Sequence, residues 1–70
     1  MNYIIIEAQT NNGSTAVVAP VQVYSDAIEA EAVFLEKCAY ARRSGLSAHS
    51  VTLLDEEGKP VARKCFKPGE

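Results

Sequence analysis

The chain has 70 residues, 47% of them hydrophobic and 23% charged, with a formal net charge of −2 at pH 7. That balance is too apolar for a disordered tail and too charged for a membrane span, and it implies one small domain over residues 1–70 whose folding buries only about 60% of the unfolded surface. Net charge is close to even over successive stretches, −1 over residues 1–24, −1 over 25–54 and zero over 55–70, and none has the net positive charge that displaces counterions from phosphates, so nucleic acid is not an expected partner.

No apolar run approaches the ~18 residues needed to cross a bilayer. The sequence starts Met1-Asn2-Tyr3 without a basic leader or cleavage signal, and a cytoplasmic location is the default expectation. In that setting Cys38 and Cys65 are expected to be free thiols rather than a disulfide.

Residues 2–9, NYIIIEAQ, are β-branched and apolar, and Asn12-Gly13 follows where a two-residue type I′ turn requires positive φ. A second strand is expected from about Thr15 to Tyr24, with Val17, Ala19, Val21 and Val23 on one face. Pro20 cannot donate to a ladder and predicts an edge position, with a bend or bulge there.

The segment YSDAIEAEAVFLEKCAYARRSG reads as a helix. Ser25 or Asp26 caps its start, Asp26 with Glu29 has the spacing of a capping box, Arg42 and Arg43 occupy the last turn, and Gly45 supplies the stop. At 100° per residue, Ile28, Ala32, Leu35 and Ala39 form one stripe and Ala27, Ala30, Phe34, Cys38 and Ala41 an adjoining one. The apolar arc is therefore broad and floored with alanine.

Ser47 to Leu54 alternates, with His49, Val51 and Leu53 on one side. Asp55-Glu56-Glu57-Gly58 then forms a four-residue connection to a last strand from about Pro60 to Phe66, whose Arg63 and Lys64 charge both faces as an edge strand requires. The order is ββαββ: two hairpins in a four-stranded antiparallel sheet with one helix on a face, an α+β domain.

One helix covers only one face of such a sheet. Ile4, Ile5 and Ile6 point to both faces, and Tyr3, Val18 and Tyr24 add apolar surface. Val33 and Tyr40 form an i, i+7 pair on the polar side of the helix. This excess predicts a homo-oligomer, with a dimer as the simplest form. Tyr3, Ile5, Tyr24, Val33, Tyr40 and His49 are the candidate contact residues.

Catalytic and metal chemistry find little purchase. His49 is the only imidazole, and counting back from the DEEG turn places it opposite Lys64, with Cys65 a close or diagonal neighbour. A Cys65–His49 dyad is thus conceivable, but no nucleophile-elbow pattern supports it, and a structural or interface histidine is the preferred reading. One histidine and two distant cysteines fall short of a metal set, and Asp55, Glu56 and Glu57 read as a solvated loop tip. No phosphate-loop or dinucleotide fingerprint is present, so no cofactor is expected. A loose basic set, Arg42, Arg43, Arg63 and Lys64, provides an alternative in which subunits clamp an anionic nucleotide.

The opening IIIEAQTNNG, the helix entry YSDAIEAEAVF, the second hairpin AHSVTLLDEEGKPV and the pair Cys65-Phe66 together resemble a set of small uncharacterised proteins from gut-type bacteria and their prophages. Those relatives often carry an alanine-rich second half of the helix, where this chain has CAYARRSG. The resemblance implies a fold and a phage-linked context, and no catalytic residues. The combined expectation is a non-enzymatic, self-associating binding protein that meets a host or phage protein; the alternative is an oligomer that sequesters an anionic small ligand.

Overall fold

The computed structural model describes residues 1–18 and 20–67. The elements run β1 (Tyr3–Asn11), β2 (Ser14–Val17), β3 (Gln22–Tyr24), α1 (Ala27–Arg43), β4 (Ala48–Asp55) and β5 (Pro60–Phe66). The class is α+β, with one helix and an antiparallel sheet, but the sheet has five strands rather than four. The expected second strand is two short ones: β2 pairs with the C-terminal half of β1 and β3 with its N-terminal half, on the same edge. Pro20 lies in the gap, where its missing N–H forfeits nothing. Ala19, assigned above to the apolar face of that strand, lies outside the described residues, as do residues 68–70.

The two hairpins join through β1 and β4, the central strands, which pair from Tyr3↔Asp55 to Thr10↔Ala48. Asn12 and Gly13 both have positive φ, +53° and +85°, as the type I′ turn demands. In the second hairpin Asp55 organises the turn: its carboxylate accepts from the backbone N–H groups of Glu57 and Lys59, both at 2.9 Å. Asp55 thus serves the loop's own backbone, while Glu56 reaches back to accept from the N–H of Asn2 at 2.7 Å. A register shift after Leu53 sets Leu54 opposite Pro60 and leaves Val61 without a partner in the ladder.

Helix α1 starts where Asp26 caps it, accepting from the N–H of Ile28 at 2.9 Å. It lies on the face of the sheet that carries Ile5, Val51 and Leu53, and Ala30, Phe34, Cys38 and Ala41 complete the core. Alanine at both ends of this stripe lets the helix sit close to the strands. The apolar arc inferred above is only half used: the stripe through Ile28 and Leu35 faces outward, with those residues 79% and 57% exposed. Helical periodicity locates an apolar stripe but does not say which of two adjoining stripes meets the sheet.

Candidate functional site

On the helix-facing side of the sheet the buried apolar core is interrupted by one polar cluster. Glu7 on β1 and His49 on β4 point toward α1 from neighbouring positions, since Glu7 pairs with Val51 and His49 with Gln9. His49 Nε2 lies 2.8 Å from Glu7 Oε2, and His49 Nδ1 lies 3.1 Å from Ser44 Oγ at the C-cap of the helix. The second Glu7 oxygen accepts from Lys37 Nζ at 3.1 Å, across from the helix. Three elements, β1, α1 and β4, are therefore clasped by one network, and no buried side-chain polar atom is left without a partner among the described residues.

Burial works to raise the Glu7 pKa, but the hydrogen bonds from His49 and Lys37, with the charges behind them, outweigh it and hold the carboxyl below the usual glutamate value. A serine, an imidazole and a carboxylate in a row have the connectivity of a nucleophilic relay. Here, however, the Ser44 hydroxyl donates to the Ala41 carbonyl at 2.9 Å, so its proton completes the helix end and its oxygen is left to accept from the imidazole. Both ring nitrogens of His49 then face acceptors. The arrangement orients and ties together what it touches, and His49, 3% exposed, is walled in by it.

Several expectations are corrected by this placement. His49 and Ile5 are buried within one chain, so neither offers a contact surface. Tyr3, Tyr24 and Val33 are half-buried against the core on the helix side, which removes Tyr3 and Tyr24 from the open face and breaks up the Val33–Tyr40 pair. Tyr40 alone of the six is a large exposed surface, 72% accessible, with the Arg43 guanidinium 5.8 Å from its ring centre. The Cys65–His49 dyad is not formed: His49 pairs with Phe66 and Cys65 with Ser50, which puts the thiol and the imidazole on opposite faces of the sheet. The register differs from the count made on the sequence by two residues: the turn already sets Leu54 opposite Pro60 rather than Lys59, and the bulge at Val61 adds the second, which brings Phe66 rather than Lys64 opposite His49.

The basic set is also divided. Arg63 pairs with Thr52 on the open face, Lys64 pairs with Val51 on the helix side, and Arg43 turns back to donate to the Ala39 carbonyl at 3.2 Å. Arg42 and Lys64, joined by Lys67, instead line a groove of about 310 Å³ beside the C-terminal half of β5, together with Cys65 and Phe66. Cys38 is packed in the core, where burial pushes its thiol pKa up against the opposing influence of the Lys64 charge.

The other face of the sheet carries no helix. Strand alternation and the observed register place Val23, Ile4 and Leu54 in one row across it, Ile6, Thr52 and Arg63 in the next, and Val17, Ala8, Ser50 and Cys65 in a third. Arg63, on the edge strand, is the sole charge in these rows. Val17 and Val23 are 56% and 62% exposed. No helix of the described residues is long and apolar enough to cross a membrane, and no group of three acidic, histidine or cysteine side chains among them is placed to hold a metal.

The signal for Glu7 was in the sequence: it is the one acid of β1, and it follows Tyr3 and Ile5 on the side of the strand that faces inward. Its partners are 30 and 42 residues away, so only the register of β1 on β4 and the seat of the helix reveal them. Compared with protein-family models, curated proteins and solved structures, the chain finds no match.

Proposed function

We propose that this chain is a non-enzymatic, self-associating binding protein that works through protein–protein contact, with two copies packing the open faces of their sheets together. The observation that carries this reading is the composition of that face: Ile4, Ile6, Ala8 and Leu54 on the two central strands, bordered by Val17 and Val23, with a single charge on the outermost strand. A face of this kind is self-complementary under a two-fold axis, because each copy presents neutral, apolar side chains over the middle and keeps its charge at the rim. Two sheets meeting in this way pack about 10 Å apart and form a sandwich core that neither copy has alone. For a domain of this size the added burial supplements a small core.

The buried clasp of Glu7, His49, Lys37 and Ser44 supports the same reading. Its donors and acceptors are engaged with one another, which fits a role in holding the helix to the sheet while the far side is used for contact. A host or phage protein is the proposed further partner, met as the dimer through surfaces that pairing leaves free, such as Tyr40 and the Ile28–Leu35 stripe.

The test is isotope-filtered NMR on an equal mixture of labelled and unlabelled protein. Intermolecular contacts among the methyl groups of Ile4, Ile6, Val23 and Leu54 are expected. A dimer whose intermolecular contacts come only from Ile28 and Leu35 would move the interface to the helix and overturn the sheet-face arrangement.

A further inference from the structure

We infer that the free edge of β5, with the groove beside it, is a docking site for an acidic peptide segment that adds to the sheet as an extended strand. Strand β5 ends the sheet order β2-β1-β4-β5, and among the described residues nothing pairs with its outer side. Its unpaired backbone N–H and C=O groups are a template for a further strand, and such addition is a recurrent mode of peptide capture.

The charge around that edge selects the partner. From residue 58 to residue 67 the chain carries Lys59, Arg63, Lys64 and Lys67 and no acid, and from residue 41 to residue 54 it carries Arg42 and Arg43 and no acid. The protein as a whole is nonetheless at −2, so the cations are gathered here against the overall balance. Both ion pairs among the described residues belong to Glu7, with Lys37 and with His49, and leave these basic groups without a carboxylate partner. Arg42 and Lys64 lie on the helix side of the incoming strand and Arg63 on the other; a peptide with acids at alternate positions points them all to one face, where they meet Arg42 and Lys64. The groove of about 310 Å³ has room for its side chains, and a notch of about 70 Å³ formed by Ala41, Leu46 and Phe66 adjoins it.

Charge also argues against the other occupants. A second copy adding its own β5 to this edge would set arginine and lysine against arginine and lysine, and like charges across a strand pair destabilise it. A phosphate chain would use the cations but leave the strand's hydrogen-bonding groups unpaired, whereas an acidic strand satisfies both.

The experiment uses the full chain and a fluorescent peptide of alternating glutamate and valine, with binding followed by anisotropy at low salt and the β5 amides followed by hydrogen exchange. Binding is expected, with slowed exchange in β5, and Lys64→Glu or Arg42→Glu should weaken it about tenfold while circular dichroism stays unchanged. A peptide of identical sequence, N-methylated at alternate residues so that it cannot pair as a strand, should fail to bind. If the N-methylated peptide or inorganic tripolyphosphate binds as well as the parent peptide, the site is a simple anion site and the inference is wrong. Absence of binding by the parent peptide at low salt overturns it equally. Neither result depends on whether the open sheet faces pair, which is read separately from the mass of the protein alone.

Discussion

The imidazole of His49 and the carboxylate of Glu7 meet at 2.8 Å inside the protein, from positions 42 residues apart, and join the two central strands on the side where the helix lies. With Lys37 and Ser44 they form a polar bolt through an otherwise apolar layer. Breaking one partner of such a buried set leaves the others unsatisfied, which costs more than the bond itself contributes.

Glu7→Gln should therefore lower the stability at pH 7 by about 1–3 kcal/mol, measured by urea unfolding. The folded carboxyl has a depressed pKa, so its contribution is present above the ordinary glutamate value of 4.5 and is lost as the pH falls through the lower folded value. The gap between the wild type and the variant should close in that acid range. Equal stability of the two proteins at pH 7 would show that the clasp contributes nothing.

Ser44 is expected to be inert toward a fluorophosphonate probe, because its hydroxyl is spent on the Ala41 carbonyl and its oxygen on His49. Ser44→Ala should instead reduce stability by about 1 kcal/mol through the lost helix-end and imidazole contacts. Mass spectrometry showing the probe attached at Ser44 would contradict the non-enzymatic reading.

The thiols should separate by accessibility. Cys65 is half-buried on the open face and Cys38 is buried under the helix with its pKa raised by burial. A disulfide reagent at neutral pH should titrate Cys65 in the native protein and Cys38 only on unfolding. Fast reaction of both in the native state would mean that the helix is not seated on the sheet as described.

Leu53→Ala should cost about 2–5 kcal/mol, since Leu53 is buried between β4 and the helix and the cavity would be lined by fixed neighbours. Leu54→Ala, one residue on and facing the other way, should cost the monomer far less. Thermal or urea unfolding of dilute samples distinguishes the two, and equal losses would indicate that both sheet faces are covered within one chain.

Much of this fold was legible from local chemistry. Asn12-Gly13 fixes the first hairpin because positive φ at two successive positions is cheap only for such a pair, and Asp26 and Gly45 mark the helix ends for equally local reasons. The alternation that buries His49, Val51 and Leu53 could be read off one strand. What was hidden depended on distance. The order of the strands, the bulge that moves Cys65 away from His49, and the choice of the Phe34 stripe over the Leu35 stripe are all settled by how the elements pack. The site was less legible than the fold for the same reason: Glu7, Lys37, Ser44 and His49 share no motif and come together only through the register of β1 on β4 and the seat of α1.

The central claim, that the uncovered sheet face binds a second copy, is tested most directly by light scattering on the pure protein and on Ile6→Lys. Ile6 sits in the middle of that face on a central strand, where a charge would be tolerated in the monomer and buried unpaired in the dimer. The wild type is expected at twice the chain mass at high micromolar concentration, and the variant at the mass of one folded chain. A monomeric wild type at that concentration, or an Ile6→Lys variant that remains fully dimeric, would contradict the account.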